Sequence, residues 1–292
     1  MATMPASATS PARESKGASR AHVDDLDDVF LRVTRLMYDI AGVNLTEAKR
    51  ELVRSRLAKR LRALGRNSFT EYVDFVESKA GRKELALMVD SLTTNKTSFF
   101  REAVHFSFLR ESILPSFEDP GRPLRIWSAG CSSGEEPYSL GIILREAFQD
   151  FPRRDLRILA TDLSRRCLAR AREATYSEAQ MEGVSANLRS RYFTRITDGD
   201  SGTSQYRVKQ EIRSVVTFAP LNLVDPWPMK GPFHAIFCRN VMIYFDKGIR
   251  AGLLERFQQL LPLGGHLFVG HSESLNGLSH GLRYVQPAVY RK

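Results

Sequence analysis

A loop of small residues at positions 128–134 lies between a short apolar segment and a run with helical periodicity. Its sequence, Ser-Ala-Gly-Cys-Ser-Ser-Gly, allows a tight turn and a close approach of the backbone to a ligand, through Gly130 and Gly134. The next apolar segment, residues 156–160, leads to Asp162, whose carboxylate can accept hydrogen bonds from ribose hydroxyls. These features predict a site for a small molecule that contains a nucleoside.

The residues that follow the loop restrict the identity of that molecule. The loop lacks the Gly-x-Gly-x-x-Gly spacing that holds a pyrophosphate, and Glu135 and Glu136 stand where phosphates would lie. Carboxylates repel a diphosphate and suit a cation. S-adenosylmethionine carries a sulfonium and an α-ammonium and no phosphate, so the sequence favours this cofactor over a dinucleotide. Which glutamate contacts it stays open, and a purely structural turn is the alternative for the loop taken alone.

The elements that must position this site fall into two parts. Residues 23–92 have helical periodicity throughout, with a first helix closed by Gly42 and a second predicted from a Thr46 cap to Leu64. A Ser68 cap opens a third helix, and a fourth covers roughly residues 83–92. We therefore expect an all-helical N-terminal domain, joined by a linker and connecting helix at residues 93–120 to the second part.

The second part, residues 121–292, alternates strand and helix patterns. The segments predicted as strands of the main sheet are residues 124–127, 156–160, 215–218, 235–238, 266–269 and a last one near 284–290. Alternation of this kind predicts an α/β, Rossmann-like fold with a mostly parallel sheet. Residues of about 190–213 interrupt it and predict a small antiparallel β insertion around a turn at 198–202.

The composition limits the class of protein, its location and the charge of its partners. The chain of 292 residues is 42% hydrophobic and 26% charged, which is typical of a globular protein. No run approaches the ~20 apolar residues of a membrane-spanning helix, and residues 1–22 predict a disordered tail. The three cysteines lack metal-ligand spacing, so we expect no metal and a reducing, cytoplasmic location. The net charge of +10 predicts an acidic partner.

Three further segments carry a family resemblance. They are residues 94–101 (Thr-Asn-Lys-Thr-Ser-Phe-Phe-Arg), residues 233–246, which contain the specific block Arg-Asn-Val-Met-Ile-Tyr-Phe, and residues 270–273 (Gly-His-Ser-Glu). Together with the glycine loop, and in this order, they resemble the chemotaxis receptor methyltransferase family, CheR. The resemblance extends from about residue 25 to the end of the chain.

The resemblance implies an activity and a set of site residues. The activity is methyl transfer from S-adenosylmethionine to glutamate side chains on the cytoplasmic helices of chemoreceptors, which gives glutamate 5-O-methyl esters and S-adenosylhomocysteine. With the loop glycines included, the implied cofactor-binding residues are Asn95, Thr97, Arg101, Gly130, Gly134, Glu136, Asp162, Asn222, Leu223, Arg239 and Asn240. Arg101 and Tyr244 are implied to lie nearest the transferred methyl group.

A carboxylate acceptor changes what catalysis requires. Glutamate is already ionised near neutral pH, so the in-line displacement at the sulfonium carbon needs no general base. Positioning is the main task. We expect Arg101 to orient the acceptor carboxylate, preferably through two parallel hydrogen bonds, and Tyr244 to donate a hydrogen bond near the reacting centre.

The second predicted helix is strongly basic. Its basic residues assigned to substrate docking are Arg50, Arg54, Arg56, Lys59, Arg60 and Arg62. A solvated face is the ordinary explanation for such a run. The resemblance implies more, because the family uses this domain to contact an acidic receptor bundle, where complementary charge speeds encounter and orients docking.

Two other functions compete with this interpretation. The basic charge also suits a nucleic-acid methyltransferase, although residues 240–244 lack the prolines found after the fourth strand in enzymes that methylate base amino groups. A non-catalytic protein that binds the cofactor and a receptor is the other alternative. We expect no nucleic acid, no membrane insertion and a monomer. The sequence does not decide whether the insertion tethers a receptor C-terminal peptide.

Overall fold

The structure is a computed structural model that describes residues 25–197 and 203–292. The tail predicted at residues 1–22 and the turn predicted at residues 198–202 lie outside the described residues. The first part of the described chain is helical. Its α-helices are α1 (Leu26–Ala41), α2 (Arg50–Ala63), α3 (Phe69–Glu77) and α4 (Arg82–Leu92).

Helix α1 begins and ends at residues that suit its termini. The Asp25 side chain accepts hydrogen bonds from the backbone N–H groups of Asp27 and Asp28, both at 3.1 Å, and so caps the helix. Gly42 ends it in the left-handed conformation, with φ at +67°. A Cβ atom on Gly42 would lie 2.7 Å from Val224, so this turn packs closely against the second domain.

Helix α2 begins later than the sequence pattern predicts. Thr46 makes no side-chain capping hydrogen bond, and a 3₁₀ turn, Glu47–Lys49, precedes the α-helix. The buried members of the predicted apolar line are Val53, Leu57 and Leu61. Leu64 is exposed rather than buried, because it lies past the end of the helix, where the helical repeat no longer directs it to the core.

An ion pair between the partly buried Arg60 and the buried Glu84 joins α2 to α4. Glu84 is only 5% exposed, and its carboxylate accepts hydrogen bonds from Nε and Nη2 of Arg60 at 2.8 and 2.7 Å. The Tyr72 hydroxyl donates to the same carboxylate at 2.9 Å. Burial and this hydrogen bond raise the pKa of Tyr72 above its ordinary value. Arg60 therefore compensates a buried charge within the helical domain.

A linker connects the helical domain to a helix that packs on the main sheet. This helix is α5 (Ala103–Phe108), continued by a π-helical stretch, Leu109–Ile113, and a 3₁₀ turn, Leu114–Phe117. Phe106 is buried and stacks on Phe237 of the sheet, with ring centroids 6.3 Å apart. The linker is thus held at both ends by packed helices.

The second domain alternates strands and helices. In chain order, the elements are β1 (Leu124–Ala129), α6 (Glu135–Ala147), β2 (Leu156–Asp162), α7 (Arg165–Glu173), β3 (Thr175–Ser177), α8 (Ala186–Tyr192), β4 (Phe193–Thr197), β5 (Ser204–Val208), α9 (Gln210–Arg213), β6 (Val216–Pro220), β7 (Ala235–Cys238), α10 (Lys247–Leu260), β8 (His266–Val269), β9 (Arg283–Gln286) and β10 (Val289–Arg291).

The main sheet has the strand order β6-β2-β1-β7-β8-β10-β9. The first five strands in this order are parallel, and β10 runs antiparallel to both β8 and β9. The predicted α/β, Rossmann-like fold is confirmed. The chain proceeds from β1 to β2 on one side and reaches β7 on the other, so the strand order reverses beside β1.

Aromatic packing fixes the central strands. Phe237 of β7 and Phe268 of β8 stack with centroids 4.1 Å apart and planes 5° from parallel. Trp127 of β1 is fully buried on the sheet, and its indole N–H donates to the Thr161 hydroxyl of β2 at 2.9 Å. The carboxyl ends of β1, β2 and β7 are therefore held in fixed relation to one another.

The antiparallel insertion is a separate sheet with the strand order β3-β5-β4. The sequence pattern predicts two of these strands and misses β3, which begins at Thr175 and is too short to show alternation. Tyr176 of β3 is buried and packs edge-on against Phe99 of the linker at 4.8 Å. The insertion thus starts earlier than residue 190 and contacts the linker.

The described residues include the three cysteines and the helices that could be compared with a membrane span. Cys131, Cys167 and Cys238 are buried free thiols. Among the helices of residues 25–197 and 203–292, none is both long enough and apolar enough to cross a bilayer.

The Arg60–Glu84 pair generates a stability prediction. Replacing Arg60 with Ala leaves the buried Glu84 carboxylate without its counter-ion and should lower the free energy of unfolding by about 3 kcal/mol. Lys83→Ala, an exposed change on the same helix as Glu84, is the matched control and should cost less than about 0.5 kcal/mol. Urea unfolding followed by circular dichroism measures both, and equal effects would contradict a core role for Arg60.

Candidate active site

A cleft opens where the carboxyl ends of β1, β2, β6 and β7 meet. Its empty volume is about 1110 Å³, including the part that is open to solvent, which is ample for a nucleoside cofactor. It lies at the point where the strand order reverses, the usual ligand position in an open α/β sheet. The fold therefore places the cleft where the sequence predicts a small-molecule site.

Nearly all of the sequence-predicted site residues line this cleft. They are Asn95, Thr97, Arg101, Gly130, Glu136, Asp162, Asn222, Leu223, Arg239, Asn240 and Tyr244. They come from the linker, the loop after β1, the end of β2 and the segments after β6 and β7. Residues far apart in sequence are thus brought to one place.

Gly134 is the exception among the predicted site residues, because it does not line the cleft. It precedes α6 with φ at +98°, and a Cβ there would lie 2.9 Å from both Ala171 Cβ and the Tyr176 hydroxyl. Its small size permits packing against α7 and the insertion. The prediction of a cofactor contact at Gly134 is not supported by its position.

Besides Gly134, two residues of the glycine loop have positive φ. Gly130 has φ at +87°, and a Cβ atom there would lie 2.4 Å from Val241 Cγ2. Ser132 has φ at +49°, and its backbone N–H donates to Oδ2 of Asp162 at 2.7 Å. The Ser132 hydroxyl donates to the Asn95 carbonyl at 2.9 Å. The loop is therefore fixed to both the end of β2 and the linker.

Asp162 is a buried carboxylate at the edge of the cleft. Besides Ser132, the backbone N–H of Ser164 donates to it, at 2.8 Å from Oδ1. Burial raises its pKa above the ordinary value. Each carboxylate oxygen can accept more than one hydrogen bond, so Asp162 keeps capacity for ligand hydroxyls.

The two adjacent glutamates have different surroundings. Glu136 lines the cleft and accepts hydrogen bonds from the Ser128 hydroxyl at 2.7 Å and from Arg239 Nη1 at 3.1 Å. Glu135 does not line the cleft and accepts from Ser133 and Gln180 instead. Burial raises the pKa of both carboxyls. Of the two, Glu136 is the one placed to contact a ligand.

Arg239 is the buried centre of the site's ionic contacts. Its side chain is 2% exposed and lies 3.1 Å from both Glu102 and Glu136. It also donates to the Arg101 carbonyl. Glu102, which has φ at +58°, was not identified from the sequence, because a single acidic residue in a linker has no distinguishing pattern.

Glu273 fixes the segment that follows β7. Its buried carboxylate accepts from the backbone N–H groups of Asn240 at 2.8 Å, Ile243 at 3.2 Å and Gly270. Asn240 has φ at +60°, a conformation this clamp holds in place. Glu273 lies in a recognised motif, but the sequence assigned it no role because its partners are backbone groups.

The helical domain supplies one wall of the cleft, which no motif predicts. Its lining residues are Ala41, Val43, Leu45, Lys49 and Leu52. The Lys49 ammonium lies 4.6 Å from the ring centroid of Tyr244. Asn222 donates to the Ile40 carbonyl at 2.7 Å, and Asn44 donates to the Tyr244 carbonyl at 2.9 Å. Both domains therefore build the site.

The basic residues predicted for docking divide into two groups. Three are partly buried: Arg50 pairs with Glu47 and Asp27, Arg60 pairs with Glu84, and Arg56 donates to the carbonyls of Ser91, Leu92 and Thr93. The other three are exposed: Arg54 lies 3.8 Å from Glu51, Arg62 donates to the Ala58 carbonyl at 3.3 Å, and Lys59 is the third. Arg56 thus caps the carboxyl end of α4, where a cation interacts favourably with the helix dipole.

One group of described residues has metal-ligand chemistry. Glu102, His105 and His271 bring three possible ligand atoms within 4.8 Å of one another. Arg239 already pairs with Glu102, and burial together with the Arg239 charge lowers the pKa of His105 to about 4. The Arg239 guanidinium already pairs with the Glu102 carboxylate, which a metal ion would need as a ligand.

The fold and the cleft together define a class of protein. A parallel sheet with a reversal point beside β1, a first loop without phosphate-binding spacing and two carboxylates lining the cleft define a methyltransferase that uses S-adenosylmethionine. The carboxylates suit its cationic groups, and Leu163, Leu221 and Val241 give apolar contact area.

Comparison of the chain with models of protein families identifies its family within the methyltransferases. Residues 28–93 match the description "CheR methyltransferase, all-alpha domain", and residues 95–290 match "CheR methyltransferase, SAM binding domain". The chain therefore belongs to the CheR methyltransferase family.

Individual relatives agree with the domain matches. The chain is 39% identical over 273 residues to a chemotaxis protein methyltransferase of Borreliella burgdorferi, covering 91% of this chain and 94% of that protein. It is 42% identical over 262 residues to chemotaxis protein methyltransferase 2 of Pseudomonas aeruginosa, covering 89% and 91%. It is 39% identical over 265 residues to the Escherichia coli chemotaxis protein methyltransferase, covering 90% of each.

The clamp at Glu273 generates a prediction about positioning. Glu273→Gln presents an amide N–H group to backbone donors, so the segment carrying Asn240 and Tyr244 should lose its fixed geometry. We expect kcat to fall at least tenfold, since misplacement near a reacting centre is costly. Ser272→Ala, at an exposed neighbour, is the control. Single-turnover transfer of labelled methyl measures the rate, and an unchanged rate in the Gln variant would refute the role.

Proposed function

We propose that this protein methylates glutamate side chains on the cytoplasmic helices of chemoreceptors, forming glutamate 5-O-methyl esters. The observation that carries the proposal is the make-up of the cleft. Among the described residues that line it there is no histidine or cysteine, and its carboxylates are already hydrogen-bonded. An acceptor that is already ionised, as a carboxylate is, needs no general base from this lining.

The carboxylates that line the cleft fit a cofactor that carries both a ribose and a positive charge. S-adenosylmethionine, when bound, supplies an electrophilic methyl carbon. Asp162 would hold the ribose hydroxyls, and Glu136 would lie near the positive amino-acid part. Leu223 and Asn222 would contact the adenosine. The linker residues Asn95 and Thr97 would complete this side of the cleft.

The acceptor side carries basic and phenolic groups. Arg101 lines the cleft, with Nη1 donating to the Lys96 carbonyl at 2.9 Å, and Tyr244 lies beneath Lys49. These groups would attract and orient a carboxylate. Moderate rather than maximal stabilisation of that anion is required, since tight binding of the ground state would slow its attack.

Docking of the protein substrate would involve the exposed basic residues of α2. Arg54, Lys59 and Arg62 are exposed and contact only their own helix where they have partners, whereas Arg56 and Arg60 bind other parts of the helical domain. A cytoplasmic location and a monomeric state remain predictions. Relatives named chemotaxis protein methyltransferase support a receptor as the partner.

The raised carboxyl pKa values generate a pH prediction. Burial raises the pKa of Asp162 and Glu136, so each takes up a proton at a higher pH than an exposed carboxyl does. The ribose hydroxyls donate best to an ionised Asp162, and the positive amino-acid part suits an ionised Glu136, so affinity for S-adenosylmethionine should fall as the pH drops from neutral, before ordinary carboxyls titrate. Asp162→Asn should weaken binding about 10- to 100-fold at neutral pH and flatten this pH dependence.

Isothermal titration calorimetry with S-adenosylmethionine alone measures this affinity. Glu182→Gln removes an exposed carboxylate elsewhere and serves as the control. Equal affinities in the Asn variant and the control would contradict a cofactor role for Asp162.

The activity itself is tested by the chemistry of the product. Labelled S-adenosylmethionine is incubated with a cytoplasmic receptor fragment, and a methyl ester is recognised as label on protein that base releases. Reversing Arg54, Lys59 and Arg62 to Glu should reduce this transfer at least about fivefold, through complementary charge, and leave cofactor affinity unchanged.

Two controls sharpen that experiment. RNA in place of the receptor fragment tests the nucleic-acid alternative, and stable label on RNA would overturn the proposal. Arg101→Ala should abolish ester formation even with saturating receptor. Tight cofactor binding with no turnover on a receptor would instead favour a non-catalytic sensor.

A further inference from the structure

Helix α7 carries a second cluster of basic side chains, outside the helical domain. Its sequence from Arg165 to Glu173 is Arg-Arg-Cys-Leu-Ala-Arg-Ala-Arg-Glu. Cys167, Leu168 and Ala171 are buried, and all four arginines are exposed. Arginine therefore occupies four of the six exposed positions of α7, and Ala169 and Glu173 occupy the other two.

The charges on this helix are only partly compensated within the chain. Arg166 lies 3.6 Å from Asp90, and Arg172 donates to the Phe218 carbonyl at 3.0 Å. In the part of the chain that the structure describes, Arg165 and Arg170 have neither an ion pair nor a hydrogen bond. Exposed, unpaired cations of this kind attract an acidic partner.

The position of α7 relates this charge to the active site. The helix begins three residues after Asp162, and both Asp162 and Leu163 line the cleft. The Arg166–Asp90 pair joins the start of α7 to the end of α4. On the helical-domain side, Lys49 and Leu52 at the start of α2 line the same cleft. Two basic helices from two domains therefore flank one opening.

A helical substrate is long enough to extend from the cleft to both basic helices. An α-helix rises 1.5 Å per residue, so residues a few turns from the acceptor lie ~10–15 Å away from it along the axis. A helix that places one glutamate in the cleft therefore extends over the surfaces beside it. Carboxylates near the acceptor glutamate can meet α2 on one side and α7 on the other.

We propose that α7, through Arg165 and Arg170, forms the second half of the docking surface for the protein substrate and binds carboxylates that flank the acceptor glutamate. This inference rests on the proposed function. A protein partner is favoured over a nucleic acid or an anionic membrane because α7 begins beside the cleft and is joined to α4 of the helical domain by the Arg166–Asp90 pair. A single partner then contacts both domains at once.

The test uses two charge reversals of equal size. Arg165→Glu with Arg170→Glu alters α7 without touching the Arg166–Asp90 pair. Arg153→Glu with Arg157→Glu is the control, because these exposed residues lie at the amino end of β2, away from the cleft. Each Arg→Glu change removes one positive charge and adds one negative charge, so both double variants go from +10 to +6.

Base-labile methyl transfer is measured at varied concentrations of a receptor cytoplasmic fragment and with saturating cofactor. For the α7 variant we expect KM to rise about 3- to 10-fold at low salt and kcat to change less than about twofold, as for loss of two rim charge pairs. The difference should shrink as salt screens the charges. The control variant should keep the wild-type KM, and all forms should bind S-adenosylmethionine equally.

Several results would overturn the inference. The α7 variant could have the same KM as the wild type or the control, or its KM increase could be insensitive to salt. It could also lose binding to RNA or anionic vesicles while its KM for the receptor fragment stays unchanged. Absence of base-labile label from the wild type on any receptor fragment would instead remove the proposed function, and this inference with it. Normal wild-type methylation with no α7 effect removes only the inference.

Discussion

The site depends on one buried guanidinium. Arg239 lies between Glu102 of the linker and Glu136 of α6, and it also binds the Arg101 carbonyl. A buried charge costs several kcal/mol unless it is well paired, so both carboxylates must stay in place. The linker, the start of α6 and the end of β7 are thus fixed to one another, and the backbone that carries Asn240 is fixed with them.

This arrangement also gives the cleft charges of both signs. Two carboxylates surround one guanidinium, and Asp162 adds a third, so this group of residues retains negative charge. Arg101 and Lys49 add positive charge to the same lining. Under the proposed function, the cationic cofactor would meet the carboxylates and the anionic acceptor would meet Arg101 and Lys49 within a single cleft.

The sequence predicted the parts of this site that depend on local pattern. The glycine loop, Asp162 and the block from Arg239 to Tyr244 follow strands, and the carboxyl ends of parallel strands meet. Glu102 and the wall from the helical domain depend on contacts between distant segments, which no local pattern encodes. The contact predicted at Gly134 stays a prediction, because a small residue serves close helix packing as well as close ligand approach. Periodicity likewise gave the basic face of α2 but could not identify which cations were already paired.

The shared wall of the cleft has a thermodynamic consequence. Helical-domain residues such as Val43 and Leu45 face the same space as Asp162 and Asn222, and Asn222 also binds the Ile40 carbonyl. A molecule bound in that space becomes part of the boundary between the domains. By mass action it stabilises only the arrangement in which both are folded and docked. One apolar core already runs from helices α1 and α2 to the main sheet, so cofactor occupancy should add to that coupling and raise the temperature at which the two domains melt together.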